Sequence, residues 1–186
     1  MVASSRRGDT VHIDVIDRWG NMVAATPSGG WLQSSPVIPE LGFPLNSRAQ
    51  AFFLEEGLPS SLAPGKRPLS SMSPTIVLKD GKPLLAVGAA GGPTIITQTL
   101  LAIIHTIDFG RPVNEALIQP RFHHQWQPDS IRIERKVGEK VLAELRRRGH
   151  TLKIYNQMGA TQAVSLRDGT FNAAHDPRLK GKAMRY

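Results

Sequence analysis

The sequence predicts an α+β fold in a single domain, on three observations. Two pairs of short alternating segments, each pair joined by a turn, read as β-hairpins. Val141, Leu142 and Leu145 share the spacing of one helix face. The chain has 186 residues and is 40% hydrophobic, which is enough to bury one core.

Residues 1–9 read as a polar tail. Thr10 to Asp17 alternates, with Val11, Ile13 and Val15 on one side, and reads as a strand. Arg18-Trp19-Gly20-Asn21 is a turn and Met22 to Thr26 the returning strand. Pro27 to Leu62 is rich in Pro, Gly and Ser and reads as a long loop, the kind of segment that carries function in a compact domain. Pro74 to Lys79 is a strand, Asp80-Gly81-Lys82 a turn, and Leu84 to Val87 the partner strand. Gly91-Gly92-Pro93 opens a helix that runs to about Thr106, with proline suited to the first turn. Val113 to Gln119 is a short helix and Ile131 to Glu134 a strand. A helix from Val137 to Arg148 ends at Gly149. Thr151 to Tyr155, Ala163 to Leu166 and Thr170 to Ala174 are strands, the last two joined by Arg167-Asp168-Gly169. Two sheets sandwiched by helices would accommodate this order.

Composition removes several function classes. The chain has no cysteine, which excludes disulfides, thiolate metal sites and cysteine catalysis. The richest apolar run, Ile95 to Ile107, is too short to span a membrane and contains Gln98 and His105. Met1 to Arg7 has no apolar h-region and does not read as a secretory signal. The net charge of +8 permits an acidic partner, but the basic residues are dispersed. Their tightest cluster, Arg146-Arg147-Arg148, falls at a helix end where cations suit the dipole. No nucleic-acid motif is present, and an acidic partner subunit would explain the excess at least as well. His123-His124 lacks a carboxylate spaced to complete a ligand set, so no metal or other cofactor is expected. The three tryptophans, Trp19, Trp31 and Trp126, are expected to be packing residues.

The chemistry starts at Thr10, in Gly8-Asp9-Thr10-Val11-His12. A threonine hydroxyl is a poor nucleophile until a base sits beside it. Its own α-amine can serve, titrating near pH 8, provided that the residue is N-terminal. Thr10 is internal, so such a mechanism requires cleavage between Asp9 and Thr10. Taken alone, each piece has an ordinary reading: a strand threonine at Thr10, turn chemistry at Ser70-Ser71, a helix entry at Gly91-Gly92.

Their sequence order changes that reading. Thr10 to Asn21, Lys66 to Val77 (with Pro68-Leu69-Ser70-Ser71-Met72-Ser73-Pro74), Gly91-Gly92 followed by Ile95-Ile96-Thr97, Pro120 to Trp126 and Asp176-Pro177-Arg178 together resemble the small, catalytic subunit of the γ-glutamyltranspeptidases. The resemblance covers residues 8–186. It implies a four-layer αββα sandwich of the N-terminal nucleophile hydrolases, of which this chain is half. It further implies a remnant at 1–9 upstream of a self-cleavage site and a catalytic domain over 10–186. The activity implied is γ-glutamyl transfer or hydrolysis, of the glutathione hydrolase type, through an acyl-enzyme.

Carried onto this sequence, the resemblance makes Thr10 the nucleophile and places Ser28 where the family has a second threonine. Ser70 and Ser71 match the serines that hold the substrate α-carboxylate, and Gly91 and Gly92 match the oxyanion-hole glycines. His12 follows the nucleophile as structural support. The pattern departs in the substrate pocket. Gly30 stands where asparagine is usual, Ala51 where an acidic residue binds the substrate amine, and Arg48 where glutamine or glutamate is common. The loop from Gly29 to Phe52 resembles a γ-glutamyltranspeptidase-like branch. A cation without a carboxylate partner favours a substrate carboxylate. A glutaryl-type amidohydrolase similar to cephalosporin acylases is therefore the alternative, and an inactive subunit acting as an assembly module is a second.

The resemblance also implies a partner: the large subunit of the same precursor family, in a heterodimer acting on glutathione or another γ-glutamyl or glutaryl amide. Without it, one sheet face should be uncovered and the chain inactive. A periplasmic or secreted location follows from the resemblance alone, with the cytoplasm as the alternative.

Overall fold

The structure is a computed structural model that describes residues 10–28 and 36–185. Asp9, Gly30 and Trp31, and the expectations attached to them, lie outside the described residues.

The centre is a four-stranded antiparallel sheet in the order β11-β10-β6-β5, from β5 (Thr75–Lys79), β6 (Lys82–Ala90), β10 (Ala160–Arg167) and β11 (Thr170–His175). Both of its hairpins close on Asp-Gly. Asp80 and Gly81 sit at φ 52° and 75°, and Asp168 and Gly169 at 50° and 74°. Two successive positive φ values match the twist of the flanking strands, which is why these dipeptides set the register.

Each face of this sheet is covered differently. Leu85 and Val87 of β6, with Ala163 and Ala174 of the neighbouring strands, pack against α1 (Ile95–Ile107) and α2 (Val113–Leu117) through Ala102, Val113 and Leu117. Burying each such leucine or valine contributes about 1.5–3 kcal/mol. The alternate residues face the hairpin of β1 (Ile13–Ile16) and β2 (Met22–Ala25), which packs across β5, β6 and β10. Helices, sheet and hairpin thus stack in three layers.

A second unit follows α2. β7 (Phe122–His123) pairs antiparallel with β8 (Ile131–Glu134), and β8 pairs in parallel with β9 (Leu152–Tyr155). Parallel neighbours need a crossover, supplied by α3 (Glu139–Arg147), whose Leu142 is fully buried. Glu139 opens α3 and Arg146 and Arg147 close it, in the sense the helix dipole favours. Gly149, at φ 88°, ends it.

Several expectations need correction. The long loop at 27–62 contains β3 (Val37–Ile38), β4 (Phe43–Pro44) and a 3-10 turn at Arg48–Ala51. Elements of two residues carry no periodicity to read. β7 was not anticipated for the same reason. Trp19 and Trp126 are not packed: they are 73% and 75% exposed, and Trp19 lies under the Arg18 guanidinium. On β1 the alternation is as read, but Val11, Ile13 and Val15 point outward, at 54%, 53% and 48% exposure. The inward side carries His12 and Asp14 instead. Among the described residues no helix is long and apolar enough to cross a membrane.

Candidate active site

Hairpin register brings the first two polar groups together. Ile13 pairs with Ala25 in β1–β2, and the Val11 N–H bonds the Pro27 carbonyl at 3.1 Å, so the pairing continues outward past the strand ends. The next cross-strand partners are His12 with Thr26, then Thr10 with Ser28. Both pairs are in contact: His12 Nδ1 lies 2.7 Å from Thr26 Oγ1, and Thr10 Oγ1 lies 2.8 Å from Ser28 Oγ. The site threonine and serine, 18 residues apart in sequence, meet because the short turn between Ile16 and Met22 sets the register.

The opposite edge of the His12 ring is held by Asp14, with Nε2 to Oδ1 at 2.8 Å. Burial pushes the Asp14 carboxyl above its ordinary value, and the hydrogen bond and charge of His12 only partly oppose that. Asp14 Oδ2 is buried without a hydrogen-bond partner among the described residues.

Arg48 reaches the same point from its 3-10 turn. Its Nη2 donates to Ser28 Oγ at 2.5 Å and lies 3.9 Å from Met72 Sδ, while its buried Nε has no partner among the described residues. Guanidinium is donor-only, so the Ser28 oxygen accepts from it and a hydroxyl proton is shared with Thr10. A cation one hydroxyl away favours developing negative charge on Thr10 Oγ1.

Beyond Met72, Ser70 Oγ accepts from the Met72 N–H at 3.1 Å, and Ser71 Oγ donates to the Gly92 carbonyl at 3.3 Å. Gly91 and Gly92 sit at φ 137° and 61°, exposed, where β6 gives way to a 3-10 turn at Gly92–Thr94 and then α1. Gly91 could not be replaced in either respect: its φ disfavours a side chain, and a Cβ would fall 2.8 Å from Thr94 Oγ1. Thr10, Ser28 and Arg48 thus form one cluster, Ser71 and Gly92 a second, and Met72 touches the first while neighbouring the second.

Other buried polar groups had no assigned role in the sequence. Arg121 pairs with Asp176, and Arg178 pairs with Glu134 at 2.7 Å and with Asp176 at 3.1 Å. Glu134 and Asp176 are fully buried. Burial lowers Arg121 despite Asp176 beside it. Burial also pulls on Arg178, but Glu134 and Asp176 together outweigh it and raise that group. These arginines appeared in the sequence only within matched motifs. His123 has both ring nitrogens occupied, by Thr97 Oγ1 and Gln125 Oε1, each at 2.9 Å. Among the described residues no cluster could hold a metal ion. A cleft of 860 Å³ lies between β1 and the β10–β11 face, lined by Asp14, Gln162, Val164, Phe171 and Met184 among others. It does not include Thr10 or Gly91.

Solved γ-glutamyltranspeptidases share this fold. The γ-glutamyltranspeptidase from Pseudomonas nitroreducens, solved with L-DON, superposes with a TM-score of 0.83 at 33% identity, covering 94% of this chain and 98% of that one. A mutant of the Helicobacter pylori γ-glutamyltranspeptidase gives 0.78 at 36% identity, covering 90% and 99%. The γ-glutamyltranspeptidase family model matches residues 1–186, and the chain belongs to that family. The glutathione hydrolase proenzyme of Escherichia coli K12 is 38% identical over 189 residues, 95% of this chain and 33% of that protein. The chain therefore spans about a third of the length of the glutathione hydrolase proenzymes of Escherichia coli and Bacillus subtilis that it matches.

Proposed function

We propose that the chain is the catalytic part of a γ-glutamyl transferase or hydrolase acting through Thr10. Cleavage between Asp9 and Thr10 would separate residues 1–9 from a domain at 10–186 and free the Thr10 α-amine as base. That amine takes the proton from Oγ1 as the oxygen attacks the γ-glutamyl carbonyl carbon. The tetrahedral intermediate collapses, the proton passes to the leaving amine, and an ester to Thr10 remains. Water or an acceptor amine then attacks the ester and releases Thr10 in the same way. Ser28 orients the nucleophile, with Arg48 behind it. The N–H groups of Gly91 and Gly92 face the oxyanion, where one such donor contributes about 3–4 kcal/mol. Ser70 and Ser71 hold the substrate carboxylate, and Gly30 lines the pocket.

The observation that carries this reading is the 2.8 Å contact between Thr10 and Ser28 at the mouth of the first hairpin. An ordinary strand threonine needs no such partner. Relatives named glutathione hydrolase support a γ-glutamyl donor over the glutaryl alternative.

A large subunit is the partner we propose. The outward faces of Val11, Ile13, Val15 and Val23 on the hairpin, and of Ile96 and Leu100 on α1, are about half exposed. Apolar surface on both outer layers is what a second subunit would cover.

The test is intact mass and turnover together, on material co-expressed with an upstream half. A species beginning at Thr10 that releases aniline from a γ-glutamyl anilide supports the proposal. An uncleaved species with full turnover, or undiminished turnover in Thr10→Ala, refutes it.

A further inference from the structure

We infer that Gln98 and Thr94 are positioning residues that aim the backbone N–H groups of Gly91 and Gly92. The inference rests on the acyl-transfer reading for its catalytic meaning, though not for its geometry.

Gln98 is a buried polar residue in a helix whose other inward groups are largely apolar or small. It is 2% exposed, and its carboxamide lies against two neighbouring glycine backbones. A Cβ on Gly159 would fall 2.0 Å from Gln98 Nε2, and one on Gly91 would fall 2.9 Å from it. Gly159 sits at φ 57°, so both conformation and space keep that position bare. Two neighbouring backbone positions are thus kept bare where one amide abuts both.

That amide uses both of its N–H donors. Nε2 donates to the Ala90 carbonyl at 3.2 Å and to Thr94 Oγ1 at 2.7 Å. Thr94, 8% exposed, passes its own proton to the Gly91 carbonyl at 2.8 Å. The two carbonyls held are those of Ala90 and Gly91. A trans peptide is planar, so the N–H of each following residue points opposite to the carbonyl before it. Fixing the Ala90 carbonyl inward turns the Gly91 N–H outward, and fixing the Gly91 carbonyl does the same for the Gly92 N–H. The two peptide units whose donors would meet the oxyanion are the two that Gln98 and Thr94 grip from behind.

The chain of donors continues inward without reversing. Arg121 Nη2 donates to Thr161 Oγ1 at 3.0 Å, and Thr161 donates to Gln98 Oε1 at 3.4 Å. A guanidinium therefore heads a one-way sequence through Thr161, Gln98 and Thr94 to the Gly91 carbonyl. Each link polarises the next, and a carbonyl that accepts strongly makes the N–H of its own peptide a better donor.

The experiment uses the cleaved enzyme assembled with its upstream half, in wild-type form and as Thr94→Val, Gln98→Met and Thr94→Ser. Each is measured for kcat and KM on a γ-glutamyl anilide and for the amide resonances of Gly91 and Gly92 after glycine-selective 15N labelling. Thr94→Val and Gln98→Met should lower kcat about 10–100-fold, less than or equal to outright loss of an oxyanion donor. KM should stay within about twofold, since the effect belongs to the transition state. The two glycine resonances should shift or broaden in both variants, and Thr94→Ser should restore rate and resonances. Should Thr94→Val not fold, Gln98→Met carries the same comparison. Unchanged resonances in the folded variants overturn the inference whatever the turnover. So does a kcat within about twofold of an active wild type. Displaced resonances with no turnover in any form leave the positioning standing and overturn the acyl-transfer reading instead.

Discussion

The His12 imidazole lies directly on the backbone of Gly88. A Cβ at Gly88 would fall 2.2 Å from His12 Cε1 and 2.5 Å from both ring nitrogens. Its φ is not in the left-handed region, so space rather than conformation requires glycine here. This contact seats the start of the hairpin on β6, and it ties the segment that leads from Thr10 into β1 to the strand that ends two residues before Gly92. Gly88→Ala should therefore cost about 2–3 kcal/mol, at the upper end of overpacking, because a doubly bonded ring cannot rotate away. Thermal unfolding checks the stability, and the variant should also show slower cleavage after Asp9 and lower turnover.

Asp14 predicts a pH dependence. Burial, opposed in part by His12, raises its carboxyl above the ordinary 3.8. The folded state then holds the proton more tightly than the unfolded chain. The stabilisation from this group is complete below pH 3.8 and is lost as pH rises through the raised folded value. Asp14→Asn has no such titration. Denaturant unfolding across the acid range should show the wild type losing stability relative to Asp14→Asn as pH rises in that window, then a constant difference. A difference that is flat throughout contradicts the assignment.

How much of this was legible depended on how local each signal is. The Asp80-Gly81 and Asp168-Gly169 turns were readable because a dipeptide needing two positive φ values names its own geometry. The Thr10 strand was readable from alternation, but alternation gives a period and not a side. Polar His12 faces inward because Gly88 leaves it a seat, and that glycine is far away in sequence. The partnership of Arg121 with Asp176 spans 55 residues and that of Arg178 with Glu134 spans 44, beyond any local pattern. Gln98 left one trace, as a polar residue interrupting an apolar helix. Nothing in that interruption names Ala90 or Gly91 as its partners. Thr10, Gly91 and Gly92 were singled out only by resemblance to a family, and hairpin register supplies a physical reason for the Thr10–Ser28 contact.

The buried ion network should be costly to break. Glu134 accepts from the Met158 N–H at 2.8 Å, the Arg121 N–H at 3.2 Å, and Arg178 Nε and Nη2 at 2.8 and 2.7 Å. A glutamine there keeps the shape but sets an N–H₂ against donors. Glu134→Gln should cost about 3–5 kcal/mol, the range for removing one partner of a buried pair. Arg178→Met alone should also destabilise. The double variant should lose less than the sum of the two, since it leaves no unpaired charge from this pair. Urea unfolding of the four proteins measures the coupling, and simple additivity would show that the pair is not coupled.

Arg48 separates two roles by kinetics. As a substrate contact, its loss would raise KM. Its Nη2, however, is on Ser28 Oγ at 2.5 Å, and Ser28 is on Thr10. On the proposed mechanism a cation seated there acts on the Thr10–Ser28 pair, and its effect grows as negative charge develops on the Thr10 oxygen. A hydrogen bond to a charged group is worth about 1.5–3 kcal/mol, or roughly 10–100-fold in rate if it acts only in the transition state. Arg48→Met should thus lower kcat by at least about tenfold, with KM changed by less than about threefold. Ser28→Ala removes the relay through which Arg48 acts, so adding Arg48→Met to it should cost little more. A KM that rises while kcat holds would return Arg48 to the substrate pocket, and full additivity of the two substitutions would show that Arg48 does not work through Ser28.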